Sequence, residues 1–273
     1  MNIFYIQIVL FLLIISLYVN NEILATEVAP GEDTKPQSKN PYATDTPEEI
    51  YEKNKELLCT NPKEIKQAVK LMNEAVEHLE NYATNKDSFE KCKSNTGCRG
   101  VSYYKKKLEN NTNILKANYK LYGLNMYNEL INIIWDPQHA KFFNNGSSKR
   151  KVARVYDPNL IIIQQRYKKK FGSRQKYFYA LAKRAEISED KTIIVMTSAN
   201  INDGNPSKDE YKNTIIESAN LFKIDIDPDD DIKNGKLKKV FVNIVGYLIE
   251  KKGDNLEIAY IESIDGYNTF KQK

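Results

Sequence analysis

Few residues in this 273-residue chain could carry out covalent chemistry. His78 and His139 are the only histidines, and a general base must lie beside a nucleophile and an orienting group to act. The sequence has no G-x-S-x-G elbow, no P-loop and no G-x-G-x-x-G loop. These absences predict a protein that is not an enzyme and that needs no cofactor.

An acidic run, DIDPDDDIKNG from Asp225, invites comparison with a calcium-binding loop. An EF-hand loop needs glycine at its sixth position and glutamate at its twelfth. Those two positions carry Asp230 and Lys236. The run therefore predicts a solvated loop, and no metal site is expected.

The chain is basic between Pro158 and Ala185, where no aspartate or glutamate occurs. Lysines and arginines alternate there with aromatic residues, a composition that suits a solvated hairpin end, an anionic membrane surface or RNA. A secretory leader argues against nucleic acid. The candidate membrane-contact residues are Lys168, Lys169 and Lys170.

The N-terminal segment predicts the cellular route of the chain. Residues 1–25 resemble a secretory signal peptide with a weak basic region, and a retained membrane anchor is the alternative. Residues 26–45 have the composition of a flexible leader, which leaves residues 46–273 as one domain. In a secreted chain, one disulfide would join Cys59 to Cys92 or Cys92 to Cys98.

Two helices open the predicted domain. Thr46-Pro47-Glu48-Glu49 and Asn61-Pro62-Lys63-Glu64 each place a capping residue, a proline and a glutamate in the order typical of a helix start. The second helix should bury one face, formed by Ile65, Val69, Met72, Val76 and Leu79.

The apolar spacing then changes to a period of two. NILKANYKLY predicts a half-buried strand, with VSYYKKKL before it as a partner. A helix returns through Tyr127, Leu130, Ile131 and Ile134, and Pro137 ends it. About six strands follow, including LIIIQQRYKK, KYFYALAKRAEI and TIIESANLFKID, so the fold class is α+β with a large curved antiparallel sheet.

Several of these segments resemble the START lipid-transfer domains. GVSYYKKK, LKANYKLYG, IIWDPQHAKFF, RQKYFYALAKR and VNIVGYLIEKK carry this likeness in chain order. Longer strings, from TPEEIYEKN onward and from NLIIIQQRYKKKFG onward, resemble the fam-a proteins of malaria parasites. The resemblance spans residues 46 to about 270 and implies a helix-grip fold around a lipid cavity.

This resemblance implies a monomeric carrier of one phospholipid, expected to be phosphatidylcholine. It also implies secretion and export towards the host red cell or its surrounding vacuole. Strand alternation nominates residues for the inner, lipid-binding face of the sheet. They are Ile162, Gln164, Arg166, Tyr177, Tyr179, Leu181, Met196, Asn243, Val245 and Tyr260.

In this scheme, Arg166 would pair with a lipid phosphate, and Tyr177 or Tyr179 would face a choline ammonium. Two departures from the family pattern bear on the scheme. Ala140 and Asn144 align with an arginine and an aspartate of phosphatidylcholine-binding members, and GYNTFKQK is too short for the long C-terminal helix of START domains. The alternative function is an exported surface antigen or adhesion protein that binds a host membrane or protein through its basic face.

Overall fold

The computed structural model describes residues 44–85, 89–92, 100–108, 112–142, 149–169, 171–205 and 211–265, with backbone alone at 140–142. Within these ranges, an α+β fold places helices on the two faces of one large sheet. The α-helices are α1 (Pro47–Lys53), α2 (Pro62–Thr84), α3 (Tyr127–Trp135), α4 (Ser218–Leu221) and α5 (Asp230–Lys233). Short 3-10 turns span Lys55–Leu57, Leu124–Met126 and Pro137–Phe142.

The strands form a ten-stranded sheet and a small two-stranded sheet. The large sheet has the order β1-β2-β3-β12-β11-β7-β6-β5-β4, and β10 pairs with β6 off this path. Its neighbours are antiparallel except for β10 and β6, while β8 and β9 pair in parallel. The strands are β1 (Glu90–Lys91), β2 (Ser102–Lys107), β3 (Asn113–Tyr122), β4 (Lys149–Asp157), β5 (Leu160–Arg166), β6 (Lys176–Ser188), β7 (Lys191–Thr197), β8 (Asn200–Asn202), β9 (Lys223–Asp225), β10 (Lys238–Lys239), β11 (Phe241–Lys252) and β12 (Asn255–Asp265).

The start of each N-terminal helix matches the sequence prediction. Thr46 and Glu49 form a capping box around the start of α1. The side chain of Asn61 accepts hydrogen bonds from the backbone of Lys63 and Glu64 at the start of α2. These bonds satisfy amide groups that the first turn of a helix leaves without partners.

The end of α2 is held by a residue from β3. Lys116 is 2 % exposed, and its Nζ donates to the carbonyl oxygens of Tyr82 at 3.0 Å and Ala83 at 2.6 Å. A third bond of 3.0 Å reaches the carbonyl of Asn85. Because the last carbonyls of a helix carry partial negative charge, this buried ammonium stabilises the C-terminus of α2.

Close packing joins α2 to the middle of the sheet. Gly246 on β11 lies so near the helix that a Cβ atom there would meet the carbonyl oxygen of Ile194 at 2.3 Å. The same atom would meet Cδ1 of Leu79 at 2.5 Å. Glycine is therefore required at this position to let the helix approach the sheet.

Buried side chains form two apolar clusters, one on each face of the sheet. The α2 face carries the buried residues of α2, including Leu71, Met72 and Leu79. The α3 face carries the α3 stripe that the sequence predicted, in which Tyr127, Leu130, Ile131 and Ile134 are all buried. Ile50 of α1 packs on the α3 face as well.

The prediction of a strand over residues 214–225 is wrong for most of its length. The side chain of Asn213 accepts hydrogen bonds from the backbone of Ile215 and Ile216, which starts a turn instead. The helical turn α4 follows, and only β9 pairs as a strand. Residues 214–225 therefore form a turn, the short helix α4 and the short strand β9 in the connection between β7 and β11.

Cys59 and Cys92 are both unbridged, so the Cys59–Cys92 pairing is not formed. They contribute to different clusters, Cys59 to the α2 face and Cys92 to the α3 face. Cys98, Lys170, Asn144, the expected signal peptide and the C-terminal GYNTFKQK lie outside the described residues. In the part of the chain that the structure describes, no helix is long and apolar enough to cross a bilayer.

Candidate functional site

An apolar pocket lies on the α3 face, between α3 and the sheet. Its lining residues are Ile134, Trp135, Pro137, Arg150, Ile161, Ile163, Ala182, Ile194, Met196, Gly246 and Tyr247. The pocket has a volume of only about 10 Å³. That volume holds about one water molecule, so the pocket is closed by its own apolar side chains.

The position of this pocket indicates which way the sheet curls. Arg150 lies on β4 and Tyr247 on β11, and four strand spacings separate these strands along the sheet. On a flat sheet these strands would be about 19 Å apart, at ~4.8 Å per spacing. Because both residues line one small pocket, the sheet curls around the α3 face.

Polar side chains gather at one side of the pocket and form what we call the Arg150 cluster, which consists of Arg150, Gln165, Tyr247, Tyr260 and Glu262. Arg150 Nε donates to Gln165 Oε1 at 2.6 Å, and the Tyr260 hydroxyl donates to Glu262 Oε2 at 2.5 Å. The rings of Tyr247 and Tyr260 lie 4.7 Å apart. The cluster thus brings a partly exposed cation into one region with a buried carboxylate and two buried aromatic rings.

Burial shifts the pKa values in this cluster. It lowers the pKa of Arg150 to about 10, against a weak opposing influence from the phenols of Tyr247, Tyr167 and Tyr260. Arg150 therefore keeps its positive charge at neutral pH, but at a cost in desolvation. Burial also raises the pKa of Tyr247 and of Tyr260, so both phenols stay neutral and able to donate hydrogen bonds.

Trp135 contributes a second donor to the wall of the pocket. The residue is 3 % exposed, and its indole Nε1 has no hydrogen-bond partner among the described residues. Buried donors usually have partners, so this group is available to a water molecule or to an acceptor on a ligand. The end of α3 is fixed nearby, because Asp136 accepts bonds from His139 Nδ1 at 2.9 Å and from the backbone of Asp45 at 3.1 Å.

The hydrogen bonds around Asp136 also set its charge. Although burial alone would raise its pKa, the bonds from His139, Gln138 and Asp45 hold that pKa below its usual range. A charged, fully bonded carboxylate fixes the turn that follows Trp135. The end of α3 and the Asp136-Pro137 turn that follows it therefore belong both to the core and to the wall of the pocket.

Three of the ten nominated lipid-binding residues lie on the α3 face. Met196 lines the pocket, and Val245 and Tyr260 belong to the α3-face cluster. Asn243 is fully buried, and its side chain instead donates to Ser263 at 3.2 Å and to Asp265 at 3.0 Å. Lipid contact by these four residues stays a prediction.

The other six lie on the opposite face of the sheet, away from this pocket, and lipid contact by them also stays a prediction. Four pack in the α2-face cluster, and Gln164 and Arg166 are joined to that group by hydrogen bonds. Both faces of these strands are buried, and alternation therefore gave no signal for the face. The six residues are Ile162, Gln164, Arg166, Tyr177, Tyr179 and Leu181.

Arg166, Tyr177 and Tyr179, which were expected to contact the lipid headgroup, bind other residues of the protein through their polar groups. Arg166 pairs with Asp231 at 2.6 Å and with Asp229 at 2.5 Å, so its charge is already compensated. The Tyr177 hydroxyl donates to Asp203 at 2.8 Å, and the Tyr179 hydroxyl accepts from Gln164 at 2.7 Å. The acidic run that invited a calcium interpretation thus supplies the partners of Arg166. Among the described residues, no group of acidic, histidine or cysteine side chains could hold a metal ion.

Lys168 and Lys169 follow Tyr167, the residue after β5, and are exposed at the end of the β5–β6 hairpin. Sequence reasoning missed several residues that line the pocket, above all Arg150 and Tyr247. One signal was present in the sequence, because Ile161, Ile163 and Gln165 form the alternate set of the same strand. Arg150 gave no signal, since one basic residue in KRKVAR looks like its neighbours.

Solved structures share this architecture. Human StAR-related lipid transfer protein 5 aligns with a TM-score of 0.54 at 10% sequence identity, over 74% of this chain and 85% of that one. The fold is START-like. Human STARD10 aligns with a TM-score of 0.49 at 12% identity, over 71% of this chain and 68% of its own. No protein-family model matches the sequence, and neither does any curated protein.

Proposed function

We propose that the protein binds one phospholipid on the α3 face and transfers it between membranes without catalysis. The observation that carries this proposal is the Arg150 cluster, a set of buried and half-buried polar groups beside an apolar pocket in a START-like fold. A phospholipid exposes roughly 30 methylenes when it leaves a bilayer, at ~0.8 kcal/mol each. A carrier must therefore enclose both acyl chains and satisfy the headgroup.

The chemistry of the cluster supports phosphatidylcholine as the cargo. In this proposal, Arg150 binds the phosphate through charge-assisted hydrogen bonds. The rings of Tyr247 and Tyr260 and the carboxylate of Glu262 face the choline ammonium. Trp135 donates to an ester carbonyl. A zwitterionic headgroup matches a cluster that holds one cation and one carboxylate better than an anionic headgroup would.

The small volume of the pocket means that lipid entry requires movement of α3 or of the side chains beneath it. Native mass spectrometry of the purified protein, after incubation with phosphatidylcholine vesicles, tests the proposal. One added phospholipid mass is expected in the wild type. A competition between phosphatidylcholine and phosphatidylserine vesicles then tests the choice of headgroup. A folded protein that never gains a lipid mass would contradict the carrier proposal.

The proposal includes the secretion and export that the resemblance to fam-a proteins implied. The apolar segment before residue 26 supports entry into the secretory pathway. Fractionation of cells that express the protein, followed by N-terminal sequencing of the exported form, tests both the route and cleavage after residue 25. A protein retained with residues 1–25 in place would indicate the membrane-anchor alternative.

A second candidate function is a surface antigen or adhesion protein that keeps the fold and carries no lipid. The observation that favours it is the closed pocket, with room for about one water molecule. In this alternative, exposed basic residues bind a host membrane or protein directly. It would be supported by a lipid-free mass after vesicle incubation together with retained binding to red-cell membranes.

A further inference from the structure

The β5–β6 hairpin ends in a fully exposed aromatic residue. Phe171 has a relative exposure of 109%, the highest among the described large apolar side chains. It stands in the turn beside Gly172, whose φ of +72° suits a tight turn. Soluble proteins can carry single exposed apolar residues without any function, so exposure alone decides nothing. The charges around Phe171 are more informative.

Five basic residues on adjoining segments surround this turn, and we call them with Phe171 the tip surface. None of them forms an ion pair with a described residue, although Arg174 donates a long hydrogen bond of 3.4 Å to the carbonyl of Gly235. All five are exposed. They are Lys168, Lys169, Arg174, Lys236 and Lys238.

The opposite end of the sheet provides a contrast within the same molecule. Tyr122 is also an exposed aromatic residue there, at 84%. However, the lysines of that end are ion-paired, Lys120 with Glu257 at 2.6 Å and Lys252 with Glu250 at 3.2 Å. Of these two ends, as far as the structure describes them, the tip surface is the one that combines an exposed aromatic ring with uncompensated positive charge.

The tip surface also contains a groove. It has a volume of about 500 Å³ and is lined by residues 169, 172–175, 231, 236 and 237. Its one acidic residue is Asp231, which is paired with Arg166 at 2.6 Å. Lys169, Arg174 and Lys236 thus leave a net positive charge, and the groove is complementary to an anionic group.

We propose that the tip surface docks the protein on anionic membranes, with Phe171 inserted at the level of the headgroups and the groove holding an anionic headgroup. Basic residues near a charged bilayer and an aromatic ring at its interface favour binding together, whereas one weak signal alone gives only marginal attachment. The tip surface begins one residue after Tyr167, whose phenol influences the pKa of Arg150. Docking would therefore bring the membrane close to the polar side of the pocket.

This inference rests on the proposed function for its purpose, but the binding step is measured separately. The full protein is mixed with vesicles of phosphatidylcholine alone or with added phosphatidylserine, and bound protein is separated by flotation. Binding is expected only with phosphatidylserine and should weaken as salt is raised. Lys169→Ala and Arg174→Ala should each weaken binding about fivefold, and Phe171→Ser about tenfold.

Matched controls come from the opposite end of the sheet. Tyr122→Ser removes an exposed aromatic residue, and Lys252→Ala removes an exposed lysine, so neither should change vesicle binding. A Phe171→Trp variant reports insertion directly, because its fluorescence should shift to shorter wavelength with anionic vesicles while buried Trp135 stays constant. Equal losses in the Tyr122 and Phe171 variants would overturn the proposal, as would binding to phosphatidylcholine vesicles that equals binding to anionic ones.

Two further measurements separate this inference from its rivals. Binding of single-stranded RNA that depends on Lys169 and Arg174, without vesicle binding, would overturn it in favour of a nucleic-acid surface. Uptake of short-chain phosphatidylcholine from solution should be unchanged in the Phe171→Ser variant, while transfer between anionic vesicles falls. If the wild type docks on anionic vesicles but takes up no phosphatidylcholine, the carrier proposal is refuted and the docking proposal stands.

Discussion

Replacing Arg150 by methionine should stabilise the lipid-free protein and weaken its binding of phospholipid. Burial lowers the pKa of Arg150 well below its ordinary value, to about 10. This shift corresponds to a penalty of about 3 kcal/mol on the charged side chain. Methionine removes the penalty but loses the other contacts of Arg150 and its hydrogen bond to Gln165, which contributes about 1 kcal/mol. The free energy of unfolding should therefore rise by about 1–2 kcal/mol.

Urea unfolding of the lipid-free protein measures the first effect, as a higher transition midpoint with an unchanged slope. Lys151→Met is the matched control because Lys151 is the next residue of β4. Its Nζ pairs with Asp229 at 2.6 Å, with both side chains about half exposed. Such a pair contributes little, so this variant should stay within about 0.5 kcal/mol of the wild type.

Native mass spectrometry and vesicle transfer measure the second effect. A hydrogen bond to a charged group contributes about 1.5–3 kcal/mol, so Arg150→Met should weaken phosphatidylcholine binding by roughly 10- to 100-fold. A variant that is less stable than the wild type would refute the reasoning on stability, because it would show that nearby groups more than compensate the buried charge. Unchanged lipid binding would refute the role of Arg150 at the headgroup.

Three further predictions concern the framework around the site. Gly246→Ala should lower the free energy of unfolding, measured with urea, by about 1–3 kcal/mol, because the added Cβ has no room beside α2. The control is Gly253→Ala, where the Cβ would lie in open space but the backbone has a positive φ; this variant should lose about 1 kcal/mol in the same assay. Lys116→Met should cost about 2–4 kcal/mol and speed amide exchange at the end of α2, whereas Lys120→Met should do neither. Burial raises the pKa of Tyr179 to about 12, so the contribution of its neutral phenol to stability is complete below pH ~10 and is lost as pH rises towards 12. Tyr179→Phe should therefore make the free energy of unfolding less sensitive to pH between about 10 and 12. An unchanged pH profile would show that Tyr179 does not titrate in this range.

Local signals in the sequence were enough to place the helices and most strands. The caps at Thr46 and Asn61, the stripe of α3 and the alternation in β3 each depend on residues within one turn or one strand. The α+β class and the START-like resemblance followed from their order. These features were predictable because the physical interactions behind them are local.

The faces of the central strands could not be read in the same way. In β5, the residues from Leu160 to Gln165 are all buried, since α2 covers one face and α3 the other. A strand that is apolar on both sides fits either register equally well. The partner of Arg166 was also hidden, because Asp231 lies 65 residues away along the chain. The polar side of the pocket, apart from Tyr260, was missed because its residues come from four different strands, β4, β5, β11 and β12.

The two faces differ in how readily they could make room for a lipid. Removing α2 from the sheet would break three hydrogen bonds from the buried ammonium of Lys116 to carbonyl groups, which carries a high cost in free energy. By contrast, Ile134 and Trp135 of α3 contact the sheet through apolar surface, and a hydrocarbon chain can replace those contacts without loss, because hydrophobic attraction is non-directional. The start of α3 has no side-chain cap. Near it, a hydrogen bond of 2.9 Å joins the Tyr127 hydroxyl to the Thr192 hydroxyl on the sheet. The energetic cost of opening is therefore lower on the face that carries the Arg150 cluster, which is the face where the proposed phospholipid would enter.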